Sequence, residues 1–239
     1  MLDAPVIPAA PPPPPPRPAF PPPPKPEGDR QHISVGQLEK WKGVKAAHPE
    51  RYGKADALYP GDQTQGTCSL MVCGQLIEAQ TGTRLTEADL MGRGVEAGVW
   101  TPEQGMSSLG AKQILHDAGV AAVDIPHDPP APGRYVNWDP MDPSSLGPIS
   151  HRQGVVQAID EGYGVLSSHD AKKLYNDPRA GGGHAIMPVD VVRDAAGNVT
   201  HVVVNDTSGA LGSTVPIRAD LYFDSLSGAI RTETPIWGP

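Results

Sequence analysis

The chain is poor in cysteine: Cys68 and Cys73 are the two it has among 239 residues. That excludes a disulfide framework, and on one helical pattern the two project away from each other. Both read as free thiols, which suits a reducing compartment. Basic residues are also sparse. Lys and Arg number 19 against 27 Asp and Glu, the formal net charge is −8, and no basic run exceeds Lys172-Lys173. Such a chain lacks the electrostatic footprint that nucleic acid or an anionic membrane demands. No apolar stretch approaches the roughly 20 residues that span a bilayer, and no basic region precedes an apolar core at the N-terminus. Neither a membrane segment nor a signal peptide is expected. HExxH and CxxC are absent as well, so neither a zinc site nor any other cofactor is expected. No internal repeat occurs.

Proline is abundant instead, at 29 residues, with runs at Pro11 to Pro16 and Pro21 to Pro24. A segment with few backbone donors and little apolar surface has nothing to bury. Residues 1–30 are therefore expected to form a disordered, extended arm, and residues 31–239 one domain. The arm reads as a spacer, with an SH3-type ligand as the second reading.

Within the domain, Leu38, Trp41, Val44 and Ala47 recur at three-residue spacing before Pro49, which predicts a short helix. A stronger helix is predicted from Cys68 to Gln80, with Leu70, Cys73 and Ile77 on one stripe and Gly82 as its stop. Thr86 with Asp89 makes a capping box for a helix ending by Gly98, and Thr101-Pro102 opens a loop-and-helix passage to Gly119. Val120 to Ile125 reads as a strand. Pro126 to Pro148, carrying Trp138, is a long excursion of the kind that borders functional clefts. Ser150 with Gln153 is expected to cap a helix closed by Gly162, and Gly164 to Ser168 to form a buried strand. His184 to Val192 and Val199 to Asn205 flank a turn composition, Asp194 to Asn198, and should pair as an antiparallel hairpin. Helices thus precede strands, and the fold class is α+β, a helical N-terminal half packed on a C-terminal antiparallel sheet.

A thiol becomes a useful nucleophile when its pKa falls, and the two simplest devices are a helix N-terminus and a neighbouring imidazolium. Cys68 has the first by position, behind Gly66-Thr67, where first-turn N–H groups can also receive an oxyanion. Cys73 sits mid-stripe and reads as a buried hydrophobe. His184 follows Gly181-Gly182-Gly183 and opens a strand, while Asp206 closes its hairpin partner, so the hairpin can bring them together. The carboxylate then orients the imidazole that activates the thiol. His169, beside Asp170 at the end of another strand, is the best rival base. His201 lies in a β-run, His116 and His151 on helices, and His32, His48 and His127 in loops or termini.

The segments Gln65 to Val72, Leu85 to Met91, Gly183 to Ile186 and Val203 to Asp206 resemble the papain-like cysteine peptidases related to bacteriocin-processing double-glycine peptidases. The resemblance spans about residues 60 to 235. The most similar group is that of the stand-alone domains at the C-termini of bacterial polymorphic toxins and secretion-system effectors. The resemblance implies a papain-like fold, thiolate attack on a peptide carbonyl, an acyl-enzyme, and cleavage after Gly-Gly in a narrow cleft. It also implies a glutamine ahead of the cysteine that helps hold the oxyanion, commonly six positions earlier. That position is Asp62 here; Gln63 and Gln65 are both near, and Gln63, further upstream, is favoured. Ser69 stands where relatives often carry Gly or Trp.

The expectation is therefore a cysteine endopeptidase effector with Cys68, His184 and Asp206 as its triad. Its substrate is a target-cell protein, and its partner a cognate immunity protein that blocks the site. The resemblance implies a bacterial protein made in the cytoplasm, exported by a specialised secretion system and active in a target-cell cytoplasm. Glutamine deamidation or acyl transfer on the same triad stays open, because a thioester forms as readily from a glutamine side chain. A non-catalytic interaction module with a recruiting arm is the third reading.

Overall fold

The computed structural model describes residues 35–126, 151–209 and 211–237. The arm at 1–30, His32, His127, the Trp138 excursion past Pro126, and Ser150 lie outside the described residues.

The helix expected around Trp41 forms as α1 (Val35–Ala47). Pro49 does more than end it: its fixed φ and missing N–H suit a first helical turn, and it opens α2 (Pro49–Ala57). The sequence pattern does not anticipate α2, whose buried residues are only Tyr52 and Ala55. α3 (Cys68–Thr81) stops at Gly82, which takes the left-handed conformation at φ 74. α4 (Glu87–Glu96) opens on the predicted Thr86/Asp89 capping box. A small hairpin, β1 (Trp100–Thr101) with β2 (Gly105–Met106), occupies the passage expected to be a loop, and α5 (Ser108–Asp117) follows.

β3 (Ala122–Asp124) is shorter than the run that predicts it. α6 (Arg152–Asp160) starts one residue after His151, which stands at its N-cap and makes no side-chain cap bond. The His151 ring instead lies 3.0 Å from the Ile125 carbonyl through Nδ1. Then come β4 (Tyr163–Asp170), α7 (Ala171–Leu174), β5 (Gly183–Arg193), β6 (Val199–Asp206), β7 (Gly212–Arg218), α8 (Ala219–Ser225) and β8 (Leu226–Pro235).

Six strands form one antiparallel sheet in the order β3-β8-β4-β5-β6-β7, so the class is α+β. The helices do not simply precede the strands, as the sequence pattern predicts: α6, α7 and α8 interleave with them. The reason lies in the strand residues. Leu166, Ala185, Met187 and Ile230 face the core under α3, α4 and α5, while their neighbours Val165, Ile186 and Ala229 join a second core with α6 and α8. A sheet apolar on alternate positions of both faces needs cover on both. Each fully buried Leu, Ile or Val contributes roughly 1.5–3 kcal/mol of the stabilisation. No helix among the described residues is long and apolar enough to cross a membrane.

The β5–β6 hairpin forms in the predicted place, with Met187 opposite Asn205 and Pro188 opposite Val204. A register shift follows Pro188, where a residue without an N–H interrupts the ladder. Extending the Met187↔Asn205 register by one sets Asp206 opposite Ile186. His184, two residues before Ile186, is then its diagonal neighbour, within reach of long side chains.

α3 and α4 approach closely through glycine. A Cβ at Gly94 would stand 2.9 Å from Trp100 Cβ and 3.3 Å from Leu70 Cδ2. Trp100 Cβ is fixed by its own backbone and cannot move aside cheaply. Gly94→Ala is therefore expected to destabilise by about 1–3 kcal/mol through overpacking, read as a lowered thermal midpoint. An unchanged midpoint would mean that the helices separate without strain.

Candidate active site

Cys68 is the first residue of α3, and the loop leading into it is pinned from three directions. Glu87, at the start of α4, accepts hydrogen bonds from the Thr64 N–H at 3.1 Å, from the Thr64 hydroxyl at 2.6 Å and from the Thr67 hydroxyl. The Trp100 indole donates to the Gly66 carbonyl at 3.3 Å. The Gln63 N–H donates to the Thr207 carbonyl at 2.6 Å. Thr67 occupies the N-cap position but makes no side-chain cap bond, because its hydroxyl serves Glu87. The N–H donors of the first turn are thus left uncapped by Thr67, beside the sulfur they can assist.

His184 and Asp206, 22 positions apart, meet through Nε2 and Oδ1 at 2.8 Å, both buried. A carboxylate only accepts, so Nε2 carries the hydrogen and Nδ1 is left for the thiol. The Asp206 carboxylate is well satisfied. Oδ1 also accepts the Ser208 N–H at 2.9 Å, and Oδ2 accepts the Tyr175 hydroxyl at 2.9 Å. The neighbouring Asn205 plays a structural part instead. Its amide donates to the Ala55 carbonyl and accepts the Thr214 N–H, each at 2.8 Å, tying α2 to β7.

Electrostatics separate the two thiols. Burial would push the Cys68 thiol up, but the hydrogen bond and charge of His184, the Ala185 N–H and the Ser69 hydroxyl outweigh it and hold it below the ordinary value. Burial alone, without a compensating partner, pushes Cys73 far up. Burial would lower His184, yet the Asp206 carboxylate and the sulfur raise it to about 10. Asp206 is lowered despite burial, chiefly by the His184 charge. Together these shifts favour an ion pair of thiolate and imidazolium, backed by a buried carboxylate.

His169, the rival base, sits directly across from His184 on β4. Its Nδ1 meets the Ser225 hydroxyl and its Nε2 the Ser167 hydroxyl, each at 2.9 Å, and its ring packs on Tyr222. Burial, then the His184 charge, lower it to about 3. It is a neutral structural histidine. His116 lies on α5, His201 on β6, and His48 at the N-cap of α2.

Gln63 is buried next to the residue that follows Asp206: its Oε1 accepts the Thr207 hydroxyl at 3.0 Å and its Nε2 donates to the Gln65 carbonyl at 2.9 Å. One amide hydrogen then remains for another acceptor. Gln65 contributes its carbonyl to this loop. Asp62 is exposed and accepts the Tyr59 hydroxyl at 2.6 Å. The structure thus brings Cys68, His184 and Asp206 together and holds Gln63 on the same loop pair.

Tyr175, Ser208 and Glu87 belong to the site and are not legible in the sequence. A tyrosine in a loop has no spacing signature, and an acidic residue at a helix start is ordinary dipole chemistry. Among the described residues no group of three or more His, Cys, Asp or Glu side chains converges as a metal would require. Compared with known proteins, the chain matches no family model and no curated sequence. The geometry of the site is therefore what supports a function.

Proposed function

We propose that the protein is a papain-like cysteine hydrolase that cleaves a protein substrate through Cys68, His184 and Asp206. The observation that carries this reading is the ordered pair His184 Nε2 to Asp206 Oδ1, which leaves Nδ1 to a thiol held at the N-terminus of α3. In this reading the thiolate of Cys68 attacks a carbonyl carbon. The C–S bond forms and the carbonyl electron pair moves to oxygen, where first-turn N–H groups and the free Gln63 amide hydrogen receive it. Collapse breaks the C–N bond as the His184 imidazolium protonates the leaving amine. Water then attacks the thioester with His184 as base, and the thiolate is restored.

The proposal extends to biology through the resemblance: a bacterial toxin or effector domain behind a proline-rich arm, exported by a specialised system, cleaving a target-cell protein after Gly-Gly, and silenced by an immunity protein. Mass spectrometry of new N-termini in cells expressing the wild type or Cys68→Ala tests it. Cys68-dependent termini, each preceded by Gly-Gly, are the expected result. Glutamine-to-glutamate mass changes without new termini would replace proteolysis with deamidation. Neither change would leave a module that recruits partners without chemistry.

A further inference from the structure

We propose that Tyr175 is a positioning residue for the His184–Asp206 pair, its hydroxyl fixing the second carboxylate oxygen while its ring covers the imidazole. This role rests on the cysteine-hydrolase reading. Tyr175 is the residue after α7, at its C-cap, and its N–H closes on the Ala171 carbonyl, so the backbone that carries it is held. Its hydroxyl donates to Asp206 Oδ2 at 2.9 Å and lies 3.0 Å from the Ser208 hydroxyl. Its ring centroid stands 5.6 Å from that of His184, tilted by 39°.

Two effects follow. Asp206 Oδ1 already serves Nε2 and the Ser208 N–H, and the Ser208 hydroxyl adds its own hydrogen bond to the carboxylate, so the Tyr175 hydroxyl on Oδ2 completes the set of donors that fixes its orientation. A buried carboxylate oxygen deprived of its donor draws water in or rotates toward another partner, and both weaken its hold on Nε2. The ring, for its part, keeps water from the hydrogen bond it covers, and a dry ion pair is the stronger one. Among the described residues, the charged and titratable groups facing His184 and Asp206 are Cys68 from α3, His169 from β4, Tyr175 itself, and Tyr59 from the loop after α2. Of these, His169 is neutral and Tyr59 donates to the Asp206 backbone carbonyl at 3.3 Å, leaving the Tyr175 hydroxyl as a tyrosine grip on the carboxylate.

Tyr175→Phe in the full chain removes the hydroxyl and keeps the ring. The rate of Cys68 alkylation by iodoacetamide is followed against pH, with the labelled peptide separated from that of Cys73, and circular dichroism reports folding. Should this variant unfold, Tyr175→Met takes its place. The expected result is that the alkaline limb, where the imidazolium loses its proton, moves down by about one pH unit, a tenfold change in the ion-pair equilibrium. Turnover falls by a similar factor. A limb that superimposes on the wild type or moves up overturns the role of Tyr175 and leaves the hydrolase reading standing. A wild type without any thiolate at acid pH defeats the hydrolase reading itself, and Tyr175 with it.

Discussion

At pH 6, Cys68 will alkylate with iodoacetamide roughly 100-fold faster than an ordinary thiol, and Cys73 will remain almost unlabelled. The thiolate is the reacting species, and an ordinary cysteine is almost wholly protonated at that pH. Cys68 lies below the ordinary value because the His184 charge, the Ala185 N–H and the Ser69 hydroxyl overcome its burial. His184 stays protonated there, since Asp206 and the sulfur raise it to about 10. The fast rate should therefore form a plateau from mildly acid pH to the alkaline limb. Cys73 is buried in the core beside Ala111, without a charged partner, and pushed the other way. In His184→Ala the imidazolium is gone, burial acts unopposed by it, and the advantage of Cys68 should vanish. Equal, slow labelling of both cysteines in the wild type would sink the ion pair, whatever the fold.

How far the site is legible in the sequence follows from the range of each interaction. Cys68 at a helix start and Gly82 at its stop are local signals, written within one turn of chain, as is the capping box at Thr86 and Asp89. The approach of His184 to Asp206 is non-local, yet a hairpin turns it into a nearly local problem, because the turn at Asp194 to Asn198 returns β6 alongside β5. The register shifts at Val192/Arg193 and Pro188/Asp190, which decide which residues end up opposite, are not legible. Gln63 comes from the resemblance, and the structure gives that residue partners in the buried Thr207 and the half-buried Gln65. Tyr175 and Glu87 reach the site by tertiary packing across different elements, and no periodicity encodes such a meeting. The same reason hides the two-sided cover of the sheet. Val165 and Leu166, or Ala229 and Ile230, read as one apolar run, and only the alternation in space assigns them to opposite cores. α2 escapes the sequence pattern because Pro49 reads there as a stop, although a proline that ends one helix also fits the first turn of the next.

The largest effect on stability should come from His169, a residue outside the reaction. Its folded-state pKa is depressed to about 3 from an ordinary 6.5, by burial first and the His184 charge second. Below pH 6.5 the unfolded chain gains a proton at this residue that the folded chain refuses, so stability is full above 6.5 and falls as the pH drops toward 3. The slope is about 1.4 kcal/mol per pH unit for one proton, so roughly 3 kcal/mol should be lost between about pH 6.5 and about pH 4. That is a sizeable share of the roughly 5–15 kcal/mol typical of a whole domain. Among the neighbouring ionisations, that of Cys68 is lowered, so its share of stability is lost as the pH falls through its folded value, in the wild type and in a His169 variant alike. His184 is raised, so its contribution is complete below 6.5 and is lost as the pH climbs toward about 10. Asp206 is lowered, so its contribution is present above the ordinary carboxylate range and fades only in stronger acid. His201 is also lowered, but it is partly exposed and titrates equally in a His169 variant. His169→Gln keeps a polar group facing Ser167 and Ser225 and cannot titrate. Denaturant unfolding at a series of pH values should show this variant falling less steeply than the wild type between about pH 6.5 and about pH 4, by the roughly 3 kcal/mol that His169 accounts for, while the shares of Cys68 and His201 remain in both. Parallel curves for the two proteins would show that His169 takes up its proton in the folded state, and with it that the core under Tyr222 admits a charge.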